Sequence, residues 1–392
     1  MCAFFKHELK EFLTNRKNIA IYLLLIFLSL FYWLQIENNF EIIERVSREE
    51  LQASIDTKSD FLKKVNREGE IHPDTQAAIE AFPAIVENEE QQVRLLDKKD
   101  YKQFSKVRSQ WYESYKFKPS PMYFKDGSPT ANLTVFYNYS TMFNKLSRYS
   151  EMDEPIDLAV IDEKTAIQSL VRAMDYLLPI ILVVTSFIFS MDLLSRDRKH
   201  KSLVKGMPLT DGKKIVVKIL VAFIGTMLDL IPLSIGFIGI GLTNGFGYLN
   251  LPIGISYFKG KIPLLSEIHF ESIPASTYIL RFLLLISLLI LVAILINLLL
   301  GMWIKNAYFL FIVTLGLPFI ELFYNRPGYA DIHPVHFLPT SYLHVGDVIS
   351  GQRGLFWSGA QITFSFGLIV VGITLLVLSI LLFGVNRFKR TV

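Results

Sequence analysis

One cysteine, Cys2, stands among 392 residues, which excludes an intramolecular disulfide. The motifs of hydrolytic chemistry are missing as well. No Gly-x-x-x-x-Gly-Lys-Ser/Thr phosphate cradle occurs, so the chain has no P-loop of its own for ATP. No His-Glu-x-x-His and no Gly-x-Ser-x-Gly occurs either, and an embedded hydrolase finds no support. Charge is scarce: 19% of residues are charged against 51% hydrophobic, with a net charge of +4. Internal repeats, low-complexity tracts and the ten-residue alternation of a membrane barrel are also lacking.

What the chain has instead is long uncharged apolar runs, at 19–36, 176–191, 282–304 and 358–385. Each is near the ~17 to 25 residues that cross a bilayer as helix. Two further segments, 219–242 with Asp229 and 307–324 with Glu321, bring the total to six. Backbone amides cannot stay unpaired in hydrocarbon, so the expected fold class is an all-α polytopic membrane protein of six transmembrane helices. The expected spans are 18–36, 171–194, 215–242, 273–304, 307–324 and 358–385. No cleavage site follows the first run, so it is expected to remain as the first span.

Cations fix the orientation. With a cytoplasmic N-terminus, the short inner segments hold 15 Lys and Arg residues and the short outer loops hold 4. Both termini, the connection 195–214 and the tail 386–392 are then cytoplasmic. Segments 37–170, 243–272 and 325–357 fall outside, the last with a possible re-entrant turn. Segment 37–170 carries 24 acidic and 18 basic residues, so an acidic outer domain balances a basic inner surface. That surface suits anionic membrane lipids and a cytosolic protein, and nucleic acid is not an expected partner.

Residues 1–17 read as an amphipathic interfacial helix, with Phe5, Leu9, Phe12 and Leu13 at helical spacing, or as the start of one long first helix; a bend before Asn18 separates the two. The outer domain reads as two or three helices up to about Phe117. Turns and short strands are expected over "MYFKDGSPTANLTVFYNYS", followed by a helix leading into the second span.

The stretch "SRDRKHKSLVKGMPLTDGKK" links spans two and three. Its cations alone serve as topology signals, but their order adds something. Gly206 and Pro208 permit a sharp turn, Thr210 or Asp211 can cap the next helix, and Met207, Pro208 and Leu209 form an apolar tip suited to a groove on a soluble partner. This connection resembles the coupling loop of permease subunits of type-2 ABC exporters. Arg196 to Lys199, Leu203, Val204, Pro208, Leu209, Thr210 and Lys214 or Lys218 match the family pattern. The family's Glu-Arg-Glu start is replaced by "SRDRKHK", and Gly212-Lys213 comes early in the run. A second resemblance lies in "HFLPTSYLHVGDVISG", where Pro339, Tyr342, Leu343 and Gly351 match the Pro-x-x-Tyr-Leu and small-residue turn before the last span of bacterial members.

The resemblance implies a non-catalytic permease subunit that moves an amphiphile, such as an antimicrobial peptide, drug or lipid, outwards. It implies an ABC ATP-binding subunit docking at Leu203, Val204, Met207, Pro208, Leu209 and Thr210, with ATP and Mg held by that partner and no cofactor on this chain. It also implies a second permease copy or a homologous permease. A membrane-anchored receptor or immunity protein that binds an extracellular peptide without transport is the alternative, and an ion-coupled carrier is a third reading.

Within the spans, Asp229 either lines a substrate path, pairs with Arg281, or bonds between helices without a transport role. Asp175, Asp192 and Glu321 sit at span ends and are expected only to face water. His333, His336 and His344 share one loop, but Pro334 and Pro339 break any regular ligand face, so no metal is expected.

Overall fold

The computed structural model describes residues 1–42, 45–66, 71–114, 131–199, 209–258, 268–324, 334–356 and 361–389. The chain is mostly helical. Six helices are long and apolar enough to cross a membrane: Arg16–Glu37, Leu177–Arg198, Asp211–Asn244, Ala275–Gly301, Ala307–Tyr324 and Phe364–Val385. The protein is a multi-pass membrane protein, and these are its first to sixth spans. An even number of crossings places both chain ends on one face, the terminal face.

The fourth span is the core. Tyr278, Phe282, Leu285, Ile286, Ile290 and Ile294 lose all exposure, because the second, third, fifth and sixth spans pack around them. Asn297, fully buried, donates to the Phe187 carbonyl (2.8 Å) and Ser190 Oγ (2.7 Å), joining the fourth span to the second. The first span lies against the third, and its outer side, with Phe27 and Leu34, stays exposed to lipid, as do Ile312 and Phe323 of the fifth and Ile373 and Ile380 of the sixth. Gly236 permits the close approach of the first and third spans. A Cβ there would lie 2.2 Å from the Ser29 carbonyl oxygen, and Ser29 Oγ both donates to the Leu233 carbonyl (2.6 Å) and accepts from the Gly236 amide (2.8 Å).

Helix α1 (Cys2–Thr14) is separate from the first span. Asn15 is extended (φ −67°, ψ 120°), and its side chain caps the span by accepting from the Lys17 amide. Its buried stripe is Phe4, Glu8 and Phe12 at i, i+4 and i+8, whereas Leu13 is exposed. The stripe turns toward the protein: the Phe12 ring fills the space over Gly225 and meets Phe189 edge-on at 5.1 Å.

Three helices, α2 (Arg48–Lys64), α3 (Pro73–Asp97) and α4 (Tyr101–Ser114), pack in sequence after the first span. One expectation fails beyond them. From residue 131 on, the segment expected to form turns and strands is helix α5 (Ala131–Glu151); residues 122–130 lie outside the description. Its Asn, Tyr and Thr residues are weak helix formers, yet Phe136, Ser140, Leu146 and Tyr149 are buried on one side, and packing overrides propensity. The all-α polytopic class holds, with one small sheet beside the helices. The connection after the third span holds an antiparallel pair, β1 (Pro252–Phe258) and β2 (Ile268–Pro274), in register from Pro252 opposite Pro274 to Phe258 opposite Ile268. Ile253, Ile255 and Tyr257 alternate along β1 inside the segment expected as an outer loop, and α5 packs on this pair.

Helix α6 (Ala166–Asp175) ends where Tyr176 breaks the helix (φ −139°, ψ −46°), so the second span starts at Leu177 and not at 171. Helix α7 (Val345–Ser350) precedes the sixth span.

Replacing Gly236 by Val should push the first span off the third and cost about 1–3 kcal/mol. Thermal unfolding in detergent checks this, and an unchanged melting temperature would show that the contact is not needed.

Candidate functional site

The basic connection springs from a network of ion pairs on the terminal face. Lys218, in the third span, is 2% exposed, and its Nζ lies 2.9 Å from Glu8 Oε1 of α1 and 2.9 Å from Asp197 Oδ1 at the end of the second span. Glu8 Oε2 and Asp197 Oδ2 are buried without a hydrogen-bond partner, so a single ammonium compensates two carboxylates. Around it, Lys17 Nζ meets Asp192 (3.0 Å) and donates to the Ile188 carbonyl (2.6 Å), Arg196 meets Glu11 (3.5 Å), and Arg198 donates to the Gly301 carbonyl (2.7 Å) at the end of the fourth span. α1 and the first four spans are thereby joined at one level.

Of the six docking residues, Leu203, Val204, Met207 and Pro208 lie outside the described residues. Leu209 is half-buried against the Phe4 and Phe12 cluster, so it is covered by α1 and is not part of an open tip. Thr210 is exposed and begins the third span, its carbonyl accepting from the Lys214 amide (3.1 Å) without a side-chain cap bond.

Asp229 and Arg281 are not brought together. Asp229 is fully buried where the third span is interrupted, three residues before Pro232, and neither carboxyl oxygen has a hydrogen-bond partner. Its polar neighbour on the second span, Thr185, bonds to the Leu182 carbonyl (3.1 Å). Arg281 lies over the Phe364 ring of the sixth span, 5.4 Å from its centroid.

The far end of the bundle carries Asp175 and Glu321, two of the three carboxylates expected only to face water; the third, Asp192, is the terminal-face partner of Lys17. Asp175 closes α6 and accepts from the Tyr278 hydroxyl of the fourth span (2.7 Å). A Cβ on Gly346 of α7 would lie 2.3 Å from Asp175 Oδ1 and 2.5 Å from the Tyr278 hydroxyl, so three elements meet at this bond. Burial, followed by the nearby Asp347 carboxylate, pushes the Asp175 carboxyl up to about 7 against the Tyr278 bond. Glu321 is buried against Arg353, and His344 faces Glu321 (3.5 Å) and Asp347 (3.4 Å) through its two ring nitrogens. Arg172 pairs with Glu37, which also accepts from Ser169 Oγ (2.7 Å). Lys145 pairs with Glu163, and against its burial these charges, Lys145 foremost, hold the Glu163 carboxyl below its usual range.

In the last loop, Pro339 opens a 3₁₀ turn, Tyr342 is fully buried with its hydroxyl donating to the His336 carbonyl (2.7 Å), and Leu343 is buried. Gly351 is left-handed (φ 77°), and a Cβ there would meet the Ser256 carbonyl oxygen of β1 at 1.8 Å, so the turn requires glycine. His336 is packed against Phe337 and Phe366, and His333 lies outside the description. Among the described residues no three His, Cys, Asp or Glu side chains are grouped as metal ligands.

The partners of Lys218 are 210 and 21 residues away in sequence, and no local pattern marks such contacts. Comparison with protein-family models, curated proteins and solved structures finds no match to the chain.

Removing the ammonium with Lys218→Ala should cost about 3–5 kcal/mol, because Glu8 and Asp197 stay buried. Neutralising all three residues together should restore most of the loss, as read by thermal unfolding. Folded Asp175 holds its proton to higher pH than the unfolded chain does, so stability should fall as pH rises from about 4 to about 7, and Asp175→Asn should flatten that slope. Melting curves across pH check it.

Proposed function

We propose that this chain is the membrane-spanning permease subunit of a bacterial ATP-driven exporter of the type-2 ABC kind, moving an amphiphile outwards. The observation that carries the reading is the buried Glu8, Lys218 and Asp197 cluster at the root of the basic connection. A force applied to residues 195–214 reaches α1, the second span and the third span together, and Arg198 passes it to the fourth. Such a joint supports rigid-body rocking, in which packed helices shift as one unit. In this reading a separate ATP-binding subunit holds ATP and Mg and docks beneath the connection, with Leu209 and Thr210 at the edge of its footprint. This chain supplies no catalytic group.

The positive-inside bias supports a bacterial cell membrane location with both termini cytoplasmic and segment 37–170 outside. Six spans amount to half of a two-subunit pathway, so a second copy or a homologous permease completes it. Asp229, fully buried and without a hydrogen-bond partner, is the substrate-path residue of this proposal. A receptor or immunity role without transport is the second reading. It is favoured by the cavities of 260 Å³ and 150 Å³ on the far side.

Affinity purification of the tagged chain from native membranes should bring down an ATP-hydrolysing subunit. Replacing residues 207–210 with Gly and Ser should release it. A wild-type preparation that binds no ATPase yet still exports would overturn the proposal.

A further inference from the structure

Two neighbouring cavities lie where α5, α6 and the β pair meet the bundle. The larger, 260 Å³, has apolar walls from Phe40, Ile42, Tyr112, Tyr139 and Met142. The smaller, 150 Å³, is polar and reaches Asp175 and Tyr278. Thr141, Lys145 and Glu163 line both, so one space adjoins the other.

Charge in the smaller chamber is unbalanced. Lys145 is committed to Glu163; Arg172 is committed to Glu37 and the Glu163 carbonyl (2.6 Å), and lies over the Phe40 ring at 3.6 Å. Asp175 forms no ion pair with any described lysine, arginine or histidine, and its hydrogen-bond partner is the neutral Tyr278 hydroxyl. Asp347 of α7 adds a second negative charge behind it. The phenol rings of Tyr137, Tyr149 and Tyr278 form part of the same wall. A carboxylate lacking a cation, set among aromatic rings, is the arrangement that recognises an ammonium group.

We propose that the two chambers form one binding site for an ammonium-bearing amphiphile, with the charged head in the smaller chamber against Asp175 and the apolar part in the larger. This names the ligand chemistry of the far-side domain and does not rest on ATP-driven transport. A chamber of 150 Å³ admits a small head group, and 260 Å³ admits a short chain or ring, below the ~300 to 1,000 Å³ of drug-sized pockets. The groups facing Asp175 are Tyr278 of the fourth span, Asp347 of α7 with its partner His344, Arg172 of its own helix, Lys145 and Tyr137 of α5, and Tyr32 of the first span. Protonation of Asp175 removes the charge that the ammonium pairs with, so binding weakens as pH falls.

Isothermal titration of the full chain in maltoside micelles tests the site with three probes: hexylammonium, 1-hexanol and ethylammonium. Hexylammonium should bind saturably, and the neutral alcohol and the short amine should each bind about tenfold more weakly or worse. Asp175→Asn should lose about tenfold in hexylammonium affinity, and so should wild type taken from about pH 8 to about pH 6. Should Asp175→Asn fail to fold, Met142→Trp fills the larger chamber instead. It should block hexylammonium while leaving ethylammonium binding unchanged. Equal affinity for hexylammonium and 1-hexanol, or no saturable binding at all, overturns the proposal. Repetition in nanodiscs of phosphatidylethanolamine and of phosphatidylglycerol separates the sources. Weaker hexylammonium binding in the first supports the site with a lipid amine as occupant, and equal binding supports it with a soluble amine.

Discussion

Lys218 carries an ammonium out of water, which in a dry interior costs several kcal/mol unless carboxylates surround it at hydrogen-bond distance. Those carboxylates come from two other helices, Glu8 on α1 and Asp197 at the end of the second span, each 2.9 Å away. The requirement is geometric as much as energetic. Three segments far apart in sequence must arrive at one point, and the basic connection between spans two and three starts from that point. The neighbouring pairs of Lys17 with Asp192 and Arg196 with Glu11 are more exposed and add less, because water screens them.

At the opposite end a single hydrogen bond does the corresponding work. Tyr278 and Asp175 meet beneath Gly346, where no side chain fits, so the fourth span, α6 and α7 are locked in close contact. Between the two ends the fourth span is one helix of 27 residues, whereas the second, 22 residues long, carries a turn at Met191 and Asp192. Packed interiors are stiff, so a displacement at one joint is passed along the fourth span with little loss.

The six spans were legible because hydrocarbon leaves the backbone one local solution, and a run of apolar residues announces it. The helix in 131–151 was not, since its Asn, Thr and Tyr content argues for turns and only contacts with the β pair and α4 reverse that. The β pair was missed for the converse reason: Ile253, Ile255 and Tyr257 alternate, but seven residues are a short signal inside a loop between two spans. Of the candidate sites, Gly351 came in only through the family resemblance, and its left-handed turn is a property of the fold. The partners of Lys218, Asp175 and Glu321 were not readable, because each ion pair or hydrogen bond links residues that only tertiary folding makes adjacent.

Asn15 carries one more consequence. α1 is joined lengthwise to the first span through a single extended residue, while sideways it is fastened to the third span by a salt bridge and by the Phe12 ring seated over Gly225. A tug on the amino terminus therefore acts as shear on the third span, with the first left largely slack.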